Sequence, residues 1–459
     1  MLNKKLALSL SSFAIAATLT LSGAASDQAA LKPVVNKGEK FLSYDWPILK
    51  IGTAEYSEGP TGVTVFHFDK KVYSAIDVRG GGPGTVNAPY MQLGYDMPEL
   101  DTVVLSGGSW YGLEAVTAVA SALKDDDIRD GGAFTNPPNI AMSVGSIIFD
   151  FGGRRLNEIY PDKKLAQAAF RAAEHGKFPL GAEGAGRFAV TGGYVGCNAK
   201  SGQGAAFRQI GDLKIMAFTV VNALGMVTDR DGSLVACYKG ESWPTNLKTS
   251  EVLQAFPDSK RSDWSGVGAS EGKKRENTTV SLVVVNQKME VAELERLAMQ
   301  VHTSMGRALQ PFASIYDGDV LYAVSTAELE TPELPAIDVG TIASEVMWDA
   351  VLASVPEQPK ADTPAENLKI KASKLKSYVG NYTFSQFVSV NVTEKDGALY
   401  AQASGTRPAY AIGVEEAVPL VPVSENSFMV PGRYPLTLSF AQKGELVLNP
   451  GHWQQVGKR

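Results

Sequence analysis

Residues 270–286 read SEGKKRENTTVSLVVVN, and this stretch decides how the rest of the chain is read. A charged run, Glu271 to Glu276, passes directly into a largely apolar, β-branched run, Val280 to Val285. Residues of that kind form strands, so the chain leaves a solvated loop and enters a buried strand. The junction is Asn277-Thr278. Asn before Thr is ordinary turn-to-strand chemistry. It is also where a self-cleaving precursor would expose a new N-terminal nucleophile. A hydroxyl is weak until a neighbouring base takes its proton, and the α-amine freed before Thr278 would be that base. Such an amine has a reference pKa of about 7.7–8.0, suited to proton transfer near neutrality.

The 459 residues exceed one ordinary domain and fit a large domain followed by a smaller one. Apolar content of 44% and charged content of 20% fit a globular chain with a sizeable core. The net charge of −6 and the lack of a Lys/Arg-rich run argue against nucleic-acid binding. Lys4 and Lys5, the apolar run Leu6 to Leu21 and the small residues Ser22 to Ala25 read as a cleavable secretory signal over residues 1–25. The run is short and Ser/Thr-containing for a membrane span. A periplasmic or secreted protein, with no membrane association after signal removal, is therefore expected. In an oxidising compartment Cys197 and Cys237 could pair; they could equally be two buried thiols acting as small hydrophobes. The second reading is taken, since neither spacing nor context calls for a bond. The four histidines have no metal-ligand spacing, and neither a metal nor another cofactor is expected.

Gly62 to Ile76 alternates and reads as a hairpin or two adjacent strands. DVRGGGPGT (77–85) reads as a tight connection whose glycines would also permit close backbone approach. Leu100 to Leu105 is a strand running into a Gly/Ser turn and a helix with Leu113, Val116, Ala120 and Leu123 on one stripe. The turn lacks G-x-S-x-G spacing, and Ser121 with Lys124 matches S-x-x-K without partner motifs. Asp162 caps a helix from 163 to about 175. The glycine-dense 181–204 carries no complete dinucleotide or phosphate-loop pattern. Leu213 to Asn222 is a strand. After Thr278 a helix runs from about 291 to 308 with Leu294, Leu297, Ala298, Val301 and Met305 inward. Asp317-Gly318-Asp319 reads as a turn entering a strand, and a last helix covers about 339–353. A Pro-rich linker, 355–368, separates this 26–354 unit from 369–459, where short strands alternate with turns as in a small all-β domain.

Taken in order, DVRGGGPGT, VVLSGGSWYGLEA, IIFDFGG, GAEGAGRF, FTVVNALG, NTTVSLVVVN and the Asp-Gly-Asp of 317–319 resemble the DmpA-type aminopeptidases. That family also includes β-aminopeptidases and nylon oligomer endo-hydrolases. The resemblance covers about residues 42–353. It implies an α+β fold, a four-layer αββα sandwich of the N-terminal-nucleophile kind, cut between Asn277 and Thr278 and assembled as a homo-oligomer of αβ units. It places Thr278 on the nucleophile, Asn222 on the side-chain amide that stabilises the oxyanion, and Asp317 and Asp319 on the pair that orients the nucleophile and its amine. Phe149 falls at a substrate-side position where some relatives carry Tyr, so a hydroxyl role is lost. A Lys in the Gly-rich stretch of some relatives has two candidates, Arg187 and Lys200. The C-terminal part resembles the barrel-like module appended to β-lactamase-type serine hydrolases, through LKSYVGNYTF and DGALYAQ, which implies an accessory role.

The function expected is that of an exported, self-processing aminopeptidase or amidase acting on short peptides or amino-acid amides. The alternative is an exported peptide-binding protein that keeps the fold without the chemistry. A penicillin-recognising serine hydrolase would rest only on the C-terminal module and the Ser121/Lys124 pair.

Overall fold

The computed structural model describes residues 28–459 apart from 97, 129–133, 137, 155, 238–245, 256–276, 367, 433–435 and 442–443. The leader expected at 1–25 and the charged run Glu271 to Glu276 lie outside the described residues.

The strand Thr278–Gln287 is buried along its whole length. A strand covered on both faces needs no polar alternation, which is why its sequence is nearly continuous in apolar and β-branched residues. It pairs antiparallel with Leu213–Asn222 and parallel with Val320–Leu329. Val320–Leu329 pairs in turn with Thr61–Val78, and the sheet continues through Glu99–Ser106 and Ser143–Ile147. The hairpin expected within 62–76 is instead a single strand, Thr61–Val78. Its first part pairs with Leu49–Tyr56 and Glu99–Ser106, its last part with Val320–Leu329. The exposed Asp69 and Lys70 lie at the register shift between His67 and Val72, where the strand bends and changes partner. They mimic a turn in sequence but carry no Gly or Asn to reverse the chain.

This bend folds the sheet on itself and produces four layers. Phe66, Phe68, Val103 and Leu105 face Met216, Phe218, Leu282, Val284 and Tyr322 in the central core. The alternate residues Val63, Val65 and Val104 face the helices Glu114–Asp125 and Lys163–Arg171 on one outside. Ile215, Ala217, Val283, Val285 and Ala323 face the helices Val291–Ser304 and Ala336–Ala353 on the other. The αββα sandwich expected is the one observed. The helix expected over about 291–308 ends at Ser304 and passes into a 3-10 turn, Met305–Arg307, and all five residues expected to face inward are buried. The helix beginning at Lys163 takes Asp162 as its cap, through the Leu165 N–H at 3.0 Å, but ends at Arg171. Glu174 and His175 instead pair with the Leu49–Tyr56 strand.

Cys197 and Cys237 form a disulfide, which corrects the reading of two thiols. They join segments 40 residues apart that meet, among the described residues, in a small apolar cluster with Val195, Met226, Leu247 and Val252. The covalent tie reinforces that small cluster. The C-terminal domain is a closed barrel of eight strands, from Gly380–Ser385 to Gln455–Lys458. The all-β expectation omitted a short helix before it, Ala372–Tyr378, whose Leu375 enters the barrel core.

Candidate active site

Sheet register gathers the residues singled out in the sequence. In the antiparallel pair, Asn222 at the end of one strand stands opposite Thr278 at the start of the next. In the parallel pair both strands begin at the same edge, so Asp317 to Asp319 lies beside Asn277, and Asn277 bridges to Asp317. Asn222, Asn277, Thr278, Asp317 and Asp319 are all buried.

The carbonyl of the Asn277-Thr278 peptide is held by two donors. The Thr278 hydroxyl donates to Asn277 O at 2.6 Å, and the Gly318 N–H donates to the same oxygen at 2.9 Å. Asn277 is fixed on its other sides: its N–H donates to Tyr316 O at 3.1 Å and its Nδ2 to Asn222 O at 3.0 Å. A Cβ at position 318 would stand 2.8 Å from Thr278 Oγ1 and 2.8 Å from Gly82 O, so only glycine permits this approach. The Thr278 hydroxyl is thus adjacent to the Asn277 peptide carbonyl, and a bond from Oγ1 to that carbonyl carbon would close a five-membered ring.

The Asn222 side chain is held at both ends. Its Nδ2 donates to Phe149 O at 3.0 Å, and its Oδ1 accepts from the Val190 N–H at 3.0 Å. Phe149 therefore meets the site through its backbone carbonyl, while its ring lies edge-on to Phe151 at 6.2 Å. The two carboxylates brace the backbone around Thr278 and make no hydrogen bond to its hydroxyl among the described residues. Asp319 accepts from the N–H groups of Thr279 at 2.7 Å and Ala313 at 3.0 Å. Asp317 accepts from Leu224 N–H at 3.3 Å and from the Ser314 hydroxyl at 2.6 Å. Burial, and secondly the charge of Asp317, push Asp319 up to about 7. Burial also raises Asp317. Two adjacent carboxylates out of water resist double ionisation.

The Gly-rich loop, expected as a connection, cradles the Asp-Gly-Asp turn. Arg79 and Gly80 donate their N–H groups to Asp319 O at 3.0 and 3.2 Å, and Gly82 donates to Asp317 O at 2.9 Å. A Cβ on Gly80 would come within 2.2 Å of Asp319 N. Beneath the loop, the fully buried His302 meets Asp77 at 2.8 Å, an arrangement with no signal in the local sequence. Burial lowers the His302 imidazole, favouring the neutral ring beside that carboxylate.

Other candidates fall elsewhere. Ser121 donates to Ala118 O within its own helix, and Lys124 pairs with Asp125 at the surface. Arg187 is buried against Glu55. The Lys200 ammonium lies 3.8 Å over the Phe188 ring, and burial pushes it down to about 7. Among the described residues no cluster of His, Cys, Asp or Glu is arranged to hold a metal. An apolar cleft of about 330 Å³ opens beside the site, lined by Tyr194, Leu224, Leu253, Pro311, Ile315 and Tyr316 with Ser314.

Comparison with known proteins gives this arrangement its context. The family model for peptidase family S58 matches residues 44–361. A 6-aminohexanoate-oligomer endohydrolase of Paenarthrobacter ureafaciens is 38% identical over 343 residues, covering 72% of this chain and 90% of that protein. An uncharacterized aminopeptidase of Mycobacterium leprae (strain TN) is 29% identical over 316 residues, covering 64% of this chain and 82% of its own length. Among solved structures, a Burkholderia sp. beta-aminopeptidase covers 72% of this chain and 90% of its own, at 15% identity and a TM-score of 0.47.

Proposed function

This chain belongs to peptidase family S58 and is an amide-bond hydrolase, and on that premise we propose that it is a self-processing aminopeptidase or amidase with Thr278 as nucleophile. The observation that carries the reading is the Asn277 carbonyl, which holds both the Thr278 hydroxyl and the Gly318 N–H. In processing, Thr278 Oγ1 bonds to the Asn277 carbonyl carbon, and its proton passes to the Thr278 nitrogen that departs. The carbonyl oxygen gains charge against the Gly318 N–H, and the C–N bond breaks to leave an ester and a free α-amine. Water then hydrolyses the ester, releasing Asn277 as a carboxylate terminus.

The free amine becomes the base for turnover. It takes the Thr278 proton as the hydroxyl attacks a substrate carbonyl in the place that Asn277 vacates, passes that proton to the substrate nitrogen as the amide C–N bond breaks, and then activates the water that hydrolyses the acyl ester. In this reading the Gly318 N–H and the second N–H on Asn222 Nδ2 would stabilise the developing oxyanion; one such donor contributes about 2.7–4 kcal/mol to transition-state stabilisation. Asp319 and Asp317 hold the strand and turn that carry these groups. The protein works after export, in the periplasm or outside the cell, on short peptides or amino-acid amides, as an oligomer of αβ units. A second reading, endo-cleavage of linear aliphatic amide oligomers, is favoured by the apolar lining of the neighbouring cleft and by the named activity of the 38%-identical relative.

The test is intact-mass analysis of the purified protein under denaturing, reducing conditions, with a substrate panel of aminoacyl amides and ω-amino-acid oligomers. Two chains meeting at Asn277/Thr278 are expected. Thr278→Ala should stay whole and inactive, and Thr278→Ser should retain part of both activities. A wild-type chain that stays whole on long incubation would turn the reading towards a peptide-binding protein.

A further inference from the structure

The barrel lies beyond the residues that match the family, 44–361, yet it grips the two segments that hold Asn222. The first runs from Phe149, whose carbonyl accepts from Asn222 Nδ2, to Asn157. Its Leu156 is fully buried within the apolar core of the barrel. Its Arg154 carbonyl accepts from Gln455 Nε2 at 2.7 Å and from the Tyr410 hydroxyl at 3.2 Å, both barrel residues. The Arg154 guanidinium reaches back to Asp150 at 3.0 Å, next to Phe149, so the hold is passed along the segment.

The second segment is the ribbon of Val190–Thr191 with Ala199–Lys200. Val190, which donates to Asn222 Oδ1, pairs with Lys200. The Lys200 ammonium makes no hydrogen bond among the described residues. It lies between the Phe188 ring at 3.8 Å and the ring of barrel residue Trp453 at 5.3 Å. The adjacent His452 stands 3.4 Å from Glu183, at the start of the same Gly-rich stretch.

We propose that the C-terminal barrel positions the Asn222 side-chain amide, with Gln455 fixing the Phe149 side and Trp453 fixing the Val190 side. This rests on the reading of Asn222 as an oxyanion donor. An amide held by a carbonyl at one end and an N–H at the other has one orientation, and the direction of its second N–H follows from where those two partners stand. If either segment drifts, the amide turns with it. Gln455 and Trp453 touch no substrate in this scheme and are positioning residues.

The test is a double-mutant cycle on the full-length protein, reading the rate of self-cleavage together with kcat and KM on an aminoacyl amide. Misplacing a catalytic group by about 1 Å costs up to ~10²-fold, so Trp453→Ala and Gln455→Ala should each lower kcat about tenfold with KM little changed. Trp453→Phe, which keeps a ring over Lys200, should recover most of the loss. In an Asn222→Ala background neither barrel substitution should lower kcat further. Thermal melts of every variant confirm that it is folded, and Gln455→Ala carries the test where Trp453→Ala is not. Folded barrel variants with wild-type kcat, beside a slow Asn222→Ala, would overturn the barrel's role and leave the oxyanion reading standing. Losses that add in full to that of Asn222→Ala would also overturn it, because the barrel would then act by another route. An Asn222→Ala protein turning over at the wild-type rate would remove the oxyanion reading itself.

Discussion

Gly318→Ala adds one methyl group at the point where the proposed nucleophile, the scissile carbonyl and the Gly-rich loop meet. The new carbon would stand 2.8 Å from Thr278 Oγ1 and 2.8 Å from Gly82 O, where ordinary contact begins near 3.4 Å, so a neighbour must move by about half an ångström. Gly82 is backbone, tied to Asp317 O at 2.9 Å, whereas the Thr278 side chain can turn about χ1, moving Oγ1 together with Cγ2, which stands 3.2 Å from the same carbon. The hydroxyl yields first and leaves the Asn277 carbonyl. Overpacking of this kind costs about 1–3 kcal/mol in stability. The kinetic cost is larger in proportion: a shift approaching 1 Å between reacting groups is worth up to ~10²-fold, and loss of the Gly318 donor geometry adds to it. The assay is a time course of intact mass on freshly refolded precursor, with a thermal melt as control. We expect Gly318→Ala to lower the melting temperature modestly and to slow cleavage by about tenfold to a hundredfold. A variant that is destabilised as expected yet cleaves at the wild-type rate would refute the steric argument and the role given to this N–H.

Two further outcomes follow from the same geometry. Asp319 is raised to about 7 by burial and by Asp317, so its protonated form is favoured in the fold. Its contribution to stability is complete below the ordinary carboxylate value of about 4 and is lost as pH rises through about 7. Between those limits the melting temperature of wild type should fall with rising pH relative to that of Asp319→Asn; parallel curves would contradict the burial argument. Opening the Cys197–Cys237 bond, which spans 40 residues, should destabilise the protein by about 4 kcal/mol on the chain-entropy estimate. Denaturant melts with and without reductant would show this, and coincident melts would mean that the small surrounding cluster suffices to hold the two segments.

The strand of 278–287, its flanking helices and the ordered motifs of the large domain are legible in the sequence because burial imposes a local pattern. A strand covered on both faces must be apolar throughout, and a helix packed on one side must place Leu294, Leu297, Ala298 and Val301 on a single stripe. Asn222, Thr278 and Asp317 to Asp319 are legible as a set through resemblance, with residue types that match the chemistry. What each one touches is not. Asp69-Lys70-Lys71 looks like a turn because polar residues mark both turns and exposed bends, and only the pairing partners tell the two apart. The Cys197–Cys237 bond, the two donors on the Asn277 carbonyl and the barrel's hold on the Asn222 supports each join residues far apart in the chain. Their formation depends on sheet register and on the docking of whole segments, which no local pattern encodes. The sequence by itself thus named the side chains of the candidate site and the elements that carry them. The tertiary structure decided which backbone groups face them, because a hydrogen bond needs placement to within a few tenths of an ångström, and packing alone supplies that.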